Sequence, residues 1–327
     1  MMIRHGKTTA GAAAFAGALF AFTAFLGTAP AGAAGLGTAA APRPVTVATA
    51  TAGADAAAYW TPERMRQAVL DSEGGTAAAP DAAGSRSAGS EAAGSEAAAF
   101  GAAASGATAE QRLAGTYDRR VGKLFFTRNG QARECGGVSV TPGKLKGMVE
   151  TAAHCIRNSS GDAQNVVFVP AYDNGSTPYG KFPMNRAALA GNYTLGSPVG
   201  DVAYLDLGVN EQGKGLAEIM GGYGVSFGDP KDPTGAFTTV YYPSGTQTTC
   251  GAFASADPKY PGQGIWLMLC GGNLAQSGAP ILWVDPSSHA SWVVGTTRGD
   301  VTINNEVFFQ GQINESHAQA AYETLAK

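Results

Sequence analysis

From residue 116 onwards, apolar and polar positions follow one another in short runs broken by turn formers. The runs include "VGKLFFTR", "GGVSV", "KGMVETA", "NVVFVPAY", "DVAYLDL", "FTTVYY", "GIWLML", "SWVVGTT" and "EVFFQGQI". Between them lie "TPGK", "DNGS", "GDPKDP", "YPSG" and "ADPKYPG", whose Pro, Gly, Asp and Asn preset or tolerate turns. Many short runs rich in Val, Ile, Phe, Tyr and Thr at this spacing predict an all-β barrel or sandwich. The period changes only at the end. There Asn314 is placed to cap a helix over "ESHAQAAYETLAK", with Ala318, Ala321, Tyr322 and Leu325 on one face.

The pattern ahead of residue 116 is different. A basic start, "MMIRHGK", precedes an Ala/Gly-rich apolar run and then "APAGAA", with small-residue cleavage sites near Ala31 or Ala33. This is the pattern of a secretory signal peptide over 1–33. The run approaches membrane-spanning length, but the cleavable small residues that follow favour export. Residues 34–115 are dominated by Ala, Gly, Ser, Thr and Pro and have little large apolar surface to offset ordering entropy, so most of this segment is expected to be disordered. One island, "YWTPERMRQAVLDSEGG", predicts a short helix near 61–72. Thr61 suits its cap, Pro62 its first position and Glu63 its positive end, and Met65, Val69 and Leu70 form a stripe before Gly74 stops it. It reads either as a linker helix or as a propeptide element docked on the rest. Residues 116–327 form the globular part, a length that suits one large β unit or two small ones.

Charge narrows the partners. The formal net charge is −3, with no basic cluster and no interleaving of basic and aromatic residues, which argues against nucleic-acid binding. "GGYGVSFG" is followed by no Lys-Ser/Thr pair and is not a phosphate loop. The globular part carries no internal repeat. Four cysteines, Cys135, Cys155, Cys250 and Cys270, lie in the exported region, and four cysteines allow three disulfide connectivities. No C-x-x-C spacing is present and the histidines are scattered, so disulfides are expected rather than a zinc site or any other metal.

Candidate chemistry centres on "LCGGNLAQSGAPILW". Ser277 sits there in a Gly-rich turn, and a serine hydroxyl is a poor nucleophile until a base takes its proton. Three histidines are available in the globular region. His289 lies in a turn and His317 at the start of the terminal helix, both read as solvent-facing. His154, in "MVETAAHC", stands at a strand end beside a cysteine whose bridge would hold its loop rigid.

"CGGVSV…GMVETAAHC" closely resembles the Cys-to-His segment of the trypsin-like serine proteases, in which Ala-Ala-His-Cys carries the catalytic histidine. "GDVAYLDL" resembles the strand whose Asp orients that histidine, and "QSGAP" resembles the nucleophile motif Gly-Asp-Ser-Gly-Gly-Pro. The resemblance covers Val121 to about Ile313 and is nearest to the secreted bacterial trypsin-like and glutamyl endopeptidases. It implies two six-stranded antiparallel β-barrels with a C-terminal α-helix, preceded by a prosegment over 34–115, since "YWTPERMRQA" is also similar to prosegments of secreted actinobacterial members. It also implies a triad of His154, Asp201 and Ser277, the pairs Cys135–Cys155 and Cys250–Cys270, polypeptide substrates, no cofactor, no membrane partner after signal cleavage, and a monomer.

Departures from that pattern matter equally. Ala275 stands where the family has a Gly whose N–H joins that of Ser277 in the oxyanion hole. If that position needs positive φ, alanine there costs about 1–3 kcal/mol. Gln276 replaces the usual Asp, and Ala279 replaces the second Gly. By the resemblance, Gly271 marks the floor of the primary specificity pocket, and "VVGTTRGD", with Thr297 and Arg298, marks its wall. No Asp at the floor supports a preference for Arg or Lys, and no His at Thr297 supports one for Glu. Arg298 reads as an exposed residue at a strand end.

Overall fold

The computed structural model describes residues 45–49, 53–74, 118–228, 236–270 and 276–327. The expected signal peptide and most of the Ala/Gly-rich stretch lie outside the described residues. Among the described residues no helix is long and apolar enough to cross a membrane.

Six antiparallel strands close the first barrel. Val121–Arg128 turns into Gln131–Val140 through Asn129 and Gly130 at φ 52° and 75°, the backbone that matches a two-residue hairpin to strand twist. The order then runs through Met148–Thr151 and Ala203–Leu207 to Phe182–Leu189 and Gln164–Pro170, and back to Val121–Arg128. Phe182–Leu189 is a strand that the apolar pattern does not announce. Pro183 breaks the run, and a register shift between Met184 and Arg186 brings polar residues into it; bulges tolerate such interruptions. The seam between Gln164–Pro170 and Phe182–Leu189 is short, consisting of Val167 opposite Pro183 and Phe168 opposite Phe182.

The second sheet starts at Thr248–Ala252 and passes through Ala236–Tyr241, Pro280–Val284, Ser291–Ile303, Glu306–Ile313 and Ile265–Met268 to Ala254–Ala256. Its two end strands are consecutive in the chain, separated only by the exposed Phe253. Among the described residues they do not pair with each other, so this second barrel is a curled half-barrel with more strands than the closed six-stranded barrel expected. Both disulfides follow the expected pairing: Cys135–Cys155 staples the first barrel and Cys250–Cys270 the second.

Ser316–Ala326 is the C-terminal helix, and Ala318, Ala321 and Leu325 are buried on its expected face. Tyr322 is only partly buried, and its hydroxyl donates to the Thr141 carbonyl at 2.8 Å. Asn314 does not cap the helix. Glu315 occupies the cap without a side-chain hydrogen bond, and the Asn314 amide instead donates to both carboxylate oxygens of Glu150, at 3.2 and 3.0 Å. A buried carboxylate demands such donors more strongly than a helix end exposed to water does.

Burial pushes the Glu150 pKa up from 4.5 to about 7, and the Asn314 hydrogen bond works against that rise. The folded protein therefore holds this proton more tightly than the unfolded chain. The stabilisation is fully present below about 4.5 and is lost as pH rises through 7. The shift corresponds to roughly 3 kcal/mol. Urea unfolding followed across this window should show wild-type stability falling with pH, and Glu150→Gln should flatten the fall. Equal slopes in the two proteins would count against the assignment.

Within the stretch expected to be poor in structure, a strand, Thr46–Thr49, and a helix, Gly53–Tyr59, accompany the expected helix, which spans Pro62–Gly74. Thr61 caps that helix, its hydroxyl accepting from the Arg64 N–H at 3.3 Å. Met65, Ala68 and Val69 form its buried stripe, whereas Leu70, assigned to that stripe from the sequence, faces solvent. Leu70 lies about 140° round the helix from Met65, whereas residues three and four along share its face.

Candidate active site

His154 lies in a helical turn, Ala153–Ile156, directly after the strand Met148–Thr151, and Cys155 in the same turn is bridged to Cys135 on a neighbouring strand. The turn is further fixed by Arg128, whose guanidinium donates to the carbonyls of His154 and Cys155 at 3.1 and 2.8 Å. Asp201 precedes the strand Ala203–Leu207, which pairs with Met148–Thr151, so the two barrel strands deliver acid and imidazole to the same end.

The Asp201 carboxylate is fully used. Its Oδ1 accepts the backbone N–H of His154 at 2.8 Å, and its Oδ2 lies 2.7 Å from His154 Nδ1. Arg298 Nε donates to the same Oδ2 at 3.2 Å. Burial alone would raise the pKa of Asp201, but the charge and hydrogen bonds of His154 and the Arg298 guanidinium outweigh it and hold the carboxyl below its ordinary value. An ionised carboxylate on Nδ1 selects the tautomer that leaves Nε2 free to accept a proton.

Ser277 comes from the second barrel. Its hydroxyl donates to the Arg298 carbonyl at 2.5 Å. Arg298 therefore touches Ser277 through its backbone and Asp201 through its side chain, tying nucleophile candidate and acid together across the barrels. The loop around Ser277 is stitched in on both sides. Gly136 N–H donates to the Ser277 carbonyl at 2.7 Å, and Gly278 N–H donates to the Thr297 carbonyl at 2.7 Å. Two glycines make this approach possible. A Cβ on Gly136 would stand 2.8 Å from the Ala279 nitrogen, and one on Gly278, at φ 84°, would stand 2.4 Å from Thr151 Oγ1.

Gln276 is buried, and its amide donates to Glu134 Oε2 at 2.6 Å while its oxygen accepts the Tyr242 N–H at 3.3 Å. Glu134 Oε2 is in turn held at 2.8 Å by Lys123 Nζ, a fully buried ammonium. A neutral amide suits this place, because Lys123 already neutralises Glu134. Sequence reading left this network unnoticed, although a lysine inside the apolar run "VGKLFF" signals a buried charge in need of a partner.

The residues assigned to specificity separate. Gly271 and Ala275 lie outside the described residues. Thr297 is buried, and its hydroxyl donates to the Gln276 carbonyl at 2.5 Å and lies 3.2 Å from that of Ala279, so it holds the serine loop. Arg298 is not the exposed strand-end residue expected from the sequence. Its side chain is 15% exposed, and besides Asp201 it donates to the Gly196 carbonyl at 2.9 Å. The buried Asp201 carboxylate is what draws it inward. Cys135, His154 and Cys155 place N and S atoms within 4.8 Å of one another, but the two sulfurs are bonded together and offer no thiolate.

No family model matches the chain, and no curated protein matches it. Solved structures do. Protease Anisep from Arthrobacter nicotinovorans aligns at 28% identity and a TM-score of 0.55, over 64% of this chain and 95% of its own. The thermostable serine protease AL20 from an extremophilic microorganism aligns at 24% identity and a TM-score of 0.54, over 64% and 97%. A Glu endopeptidase aligns at 14% identity and a TM-score of 0.49, over 65% and 94%.

Proposed function

From the chymotrypsin-like barrel fold that this chain shares with bacterial serine proteases, we propose that it is a secreted serine endopeptidase working through Ser277, His154 and Asp201. The observation that carries this reading is the buried Asp201 carboxylate seated on His154 Nδ1 and linked through Arg298 to the Ser277 hydroxyl. Three donors, the His154 N–H, His154 Nδ1 and Arg298 Nε, converge on this one buried acid, and the same Arg298 accepts the Ser277 hydroxyl through its carbonyl.

In the structure the Ser277 hydroxyl is bonded to the Arg298 carbonyl and not to His154, so the reaction requires it to leave that carbonyl by rotation about Cα–Cβ and donate to His154 Nε2. As Oγ attacks the scissile carbonyl, His154 takes its proton, and the imidazolium is stabilised by the Asp201 carboxylate. The developing oxyanion accepts a hydrogen bond from the Ser277 N–H, the donor that the resemblance pairs with the N–H of Ala275. Collapse expels the amine, which receives the proton from His154 and leaves an acyl-Ser277. Water, deprotonated by the same imidazole, then releases the acid. The two disulfides and the signal-like N-terminus support an extracellular setting, where disulfides persist. Gln276 bears no charge, and the Lys123–Glu134 pair satisfies its amide, so activity needs no freed amine at Val121. The test is incubation of the purified chain with a denatured protein. Fragment release supports the assignment, whereas stoichiometric capture of uncut substrate marks a protease-fold binding module instead.

A further inference from the structure

The barrel seam between Gln164–Pro170 and Phe182–Leu189 is closed by two residue pairs only. Beyond them the strands diverge, and residues 186–189 would present an open edge on the side away from Ala203–Leu207. Open edges of this kind invite pairing with other chains. Here the edge is covered from within: Thr46–Thr49 pairs antiparallel with it, Thr46 opposite Leu189 and Thr49 opposite Arg186.

The rest of the same segment fills the gap. The helix Gly53–Tyr59 packs on both diverging strands. Trp60 is fully buried, with its ring 5.5 Å from that of Phe125, and its indole N–H donates to the Asn165 carbonyl at 2.7 Å. Lys181 Nζ donates to the Trp60 carbonyl at 3.0 Å. The helix Pro62–Gly74 then rests on Gln131–Val140 of the first barrel and on the turn Pro243–Gly245 of the second, with Met65 and Ala68 fully buried. Its Arg66 reaches the Asn174 carbonyl at 3.4 Å. Ala56, Trp60, Met65, Ala68 and Val69 thereby join a core cluster that also contains Val240, Tyr242, Leu282 and Val293 of the second barrel.

We propose that residues 46–49 and 53–74 are a permanent sealing element of the folded body, a built-in partner chain rather than a detachable leader. The occupant of this groove is the chain's own N-terminal segment, fixed by strand register, a buried indole and a helix spanning both barrels. It stays in place whether or not the Ala/Gly/Ser-rich connection over 75–117 is intact, because the contacts just given are made to Phe125, Asn165, Asn174, Lys181, the strand Phe182–Leu189 and the turn Pro243–Gly245, none of them in that connection.

The experiment uses the full chain with a recognition sequence for a site-specific protease inserted between Ser85 and Ser90. After cutting, the piece carrying residues 46–74 should co-elute with the body in non-denaturing gel filtration at low micromolar concentration, and the melting temperature should match that of uncut protein. In the same background Trp60→Ala should release the piece after cutting, or lower the melting temperature by about 10 °C. Separation of the wild-type piece from a body that keeps its circular dichroism and melting temperature would overturn the proposal. So would a Trp60→Ala protein indistinguishable from wild type in both measurements. The nicked wild type decides the question even if the Trp60 variant fails to fold.

Discussion

Replacing Ser277 with alanine is expected to abolish nearly all cleavage of a denatured protein, with a loss of roughly 10⁶-fold in kcat. His154→Ala should cost about as much, and the double variant little more than either alone, because nucleophile and base act as one unit. The folded state should survive the serine change. Ser277→Ala removes one hydrogen bond, to the Arg298 carbonyl, while the backbone bonds that seat the loop, Gly136 N–H to Ser277 and Gly278 N–H to Thr297, remain. Unaltered melting with lost turnover is therefore the expected pair of results. Equal turnover in wild type and Ser277→Ala would remove Ser277 from the chemistry. Strictly additive losses in the double variant would mean that the two side chains serve different steps.

Asp201→Asn is expected to lower kcat by ~10⁴, as in the chymotrypsin-type template. The local geometry gives the reason. Both carboxylate oxygens are acceptors here, Oδ1 from the His154 backbone N–H and Oδ2 from His154 Nδ1 and Arg298 Nε. An amide offers one acceptor oxygen and points an NH2 at whatever faced the other. If the NH2 takes the Oδ2 place it opposes Nδ1–H and forces the other imidazole tautomer. If it takes the Oδ1 place it opposes a backbone N–H, and the turn carrying His154 must shift. Loss of the buried negative charge also leaves Arg298 without its ion-pair partner. The effect should fall on kcat, with KM changed far less, since none of these groups is expected to bind the substrate chain. A variant within tenfold of wild type would show that Asp201 serves packing and ion pairing alone.

Much of the fold was legible because strand-forming runs and turn formers alternate cleanly after residue 116, and the order His154, Asp201, Ser277 matches three spaced motifs. What escaped did so for identifiable reasons. Phe182–Leu189 hides behind Pro183 and a bulge that breaks its alternation. Leu70 entered the stripe of its helix because apolar character was read without the 100° step that turns it outward. Asn314 was read from its neighbours in sequence, but its amide answers to Glu150, 164 residues away in the chain. Arg298 carries no local sign of burial, because a strand-end arginine is usually exposed, and only the tertiary fold brings it to a buried carboxylate. The depth of the N-terminal segment in the core was likewise unreadable. A single Trp-bearing island looks the same whether it links or seals, until the open seam that it fills is seen.

The most direct measurement is covalent trapping. A fluorophosphonate should label the intact, folded chain once, and peptide mapping should place the adduct on Ser277; labelling should fall to background in His154→Ala, which keeps the serine but loses its base. No adduct on the folded wild-type protein, or an adduct on another residue with Ser277 unmodified, would contradict the assignment of Ser277 as an activated nucleophile.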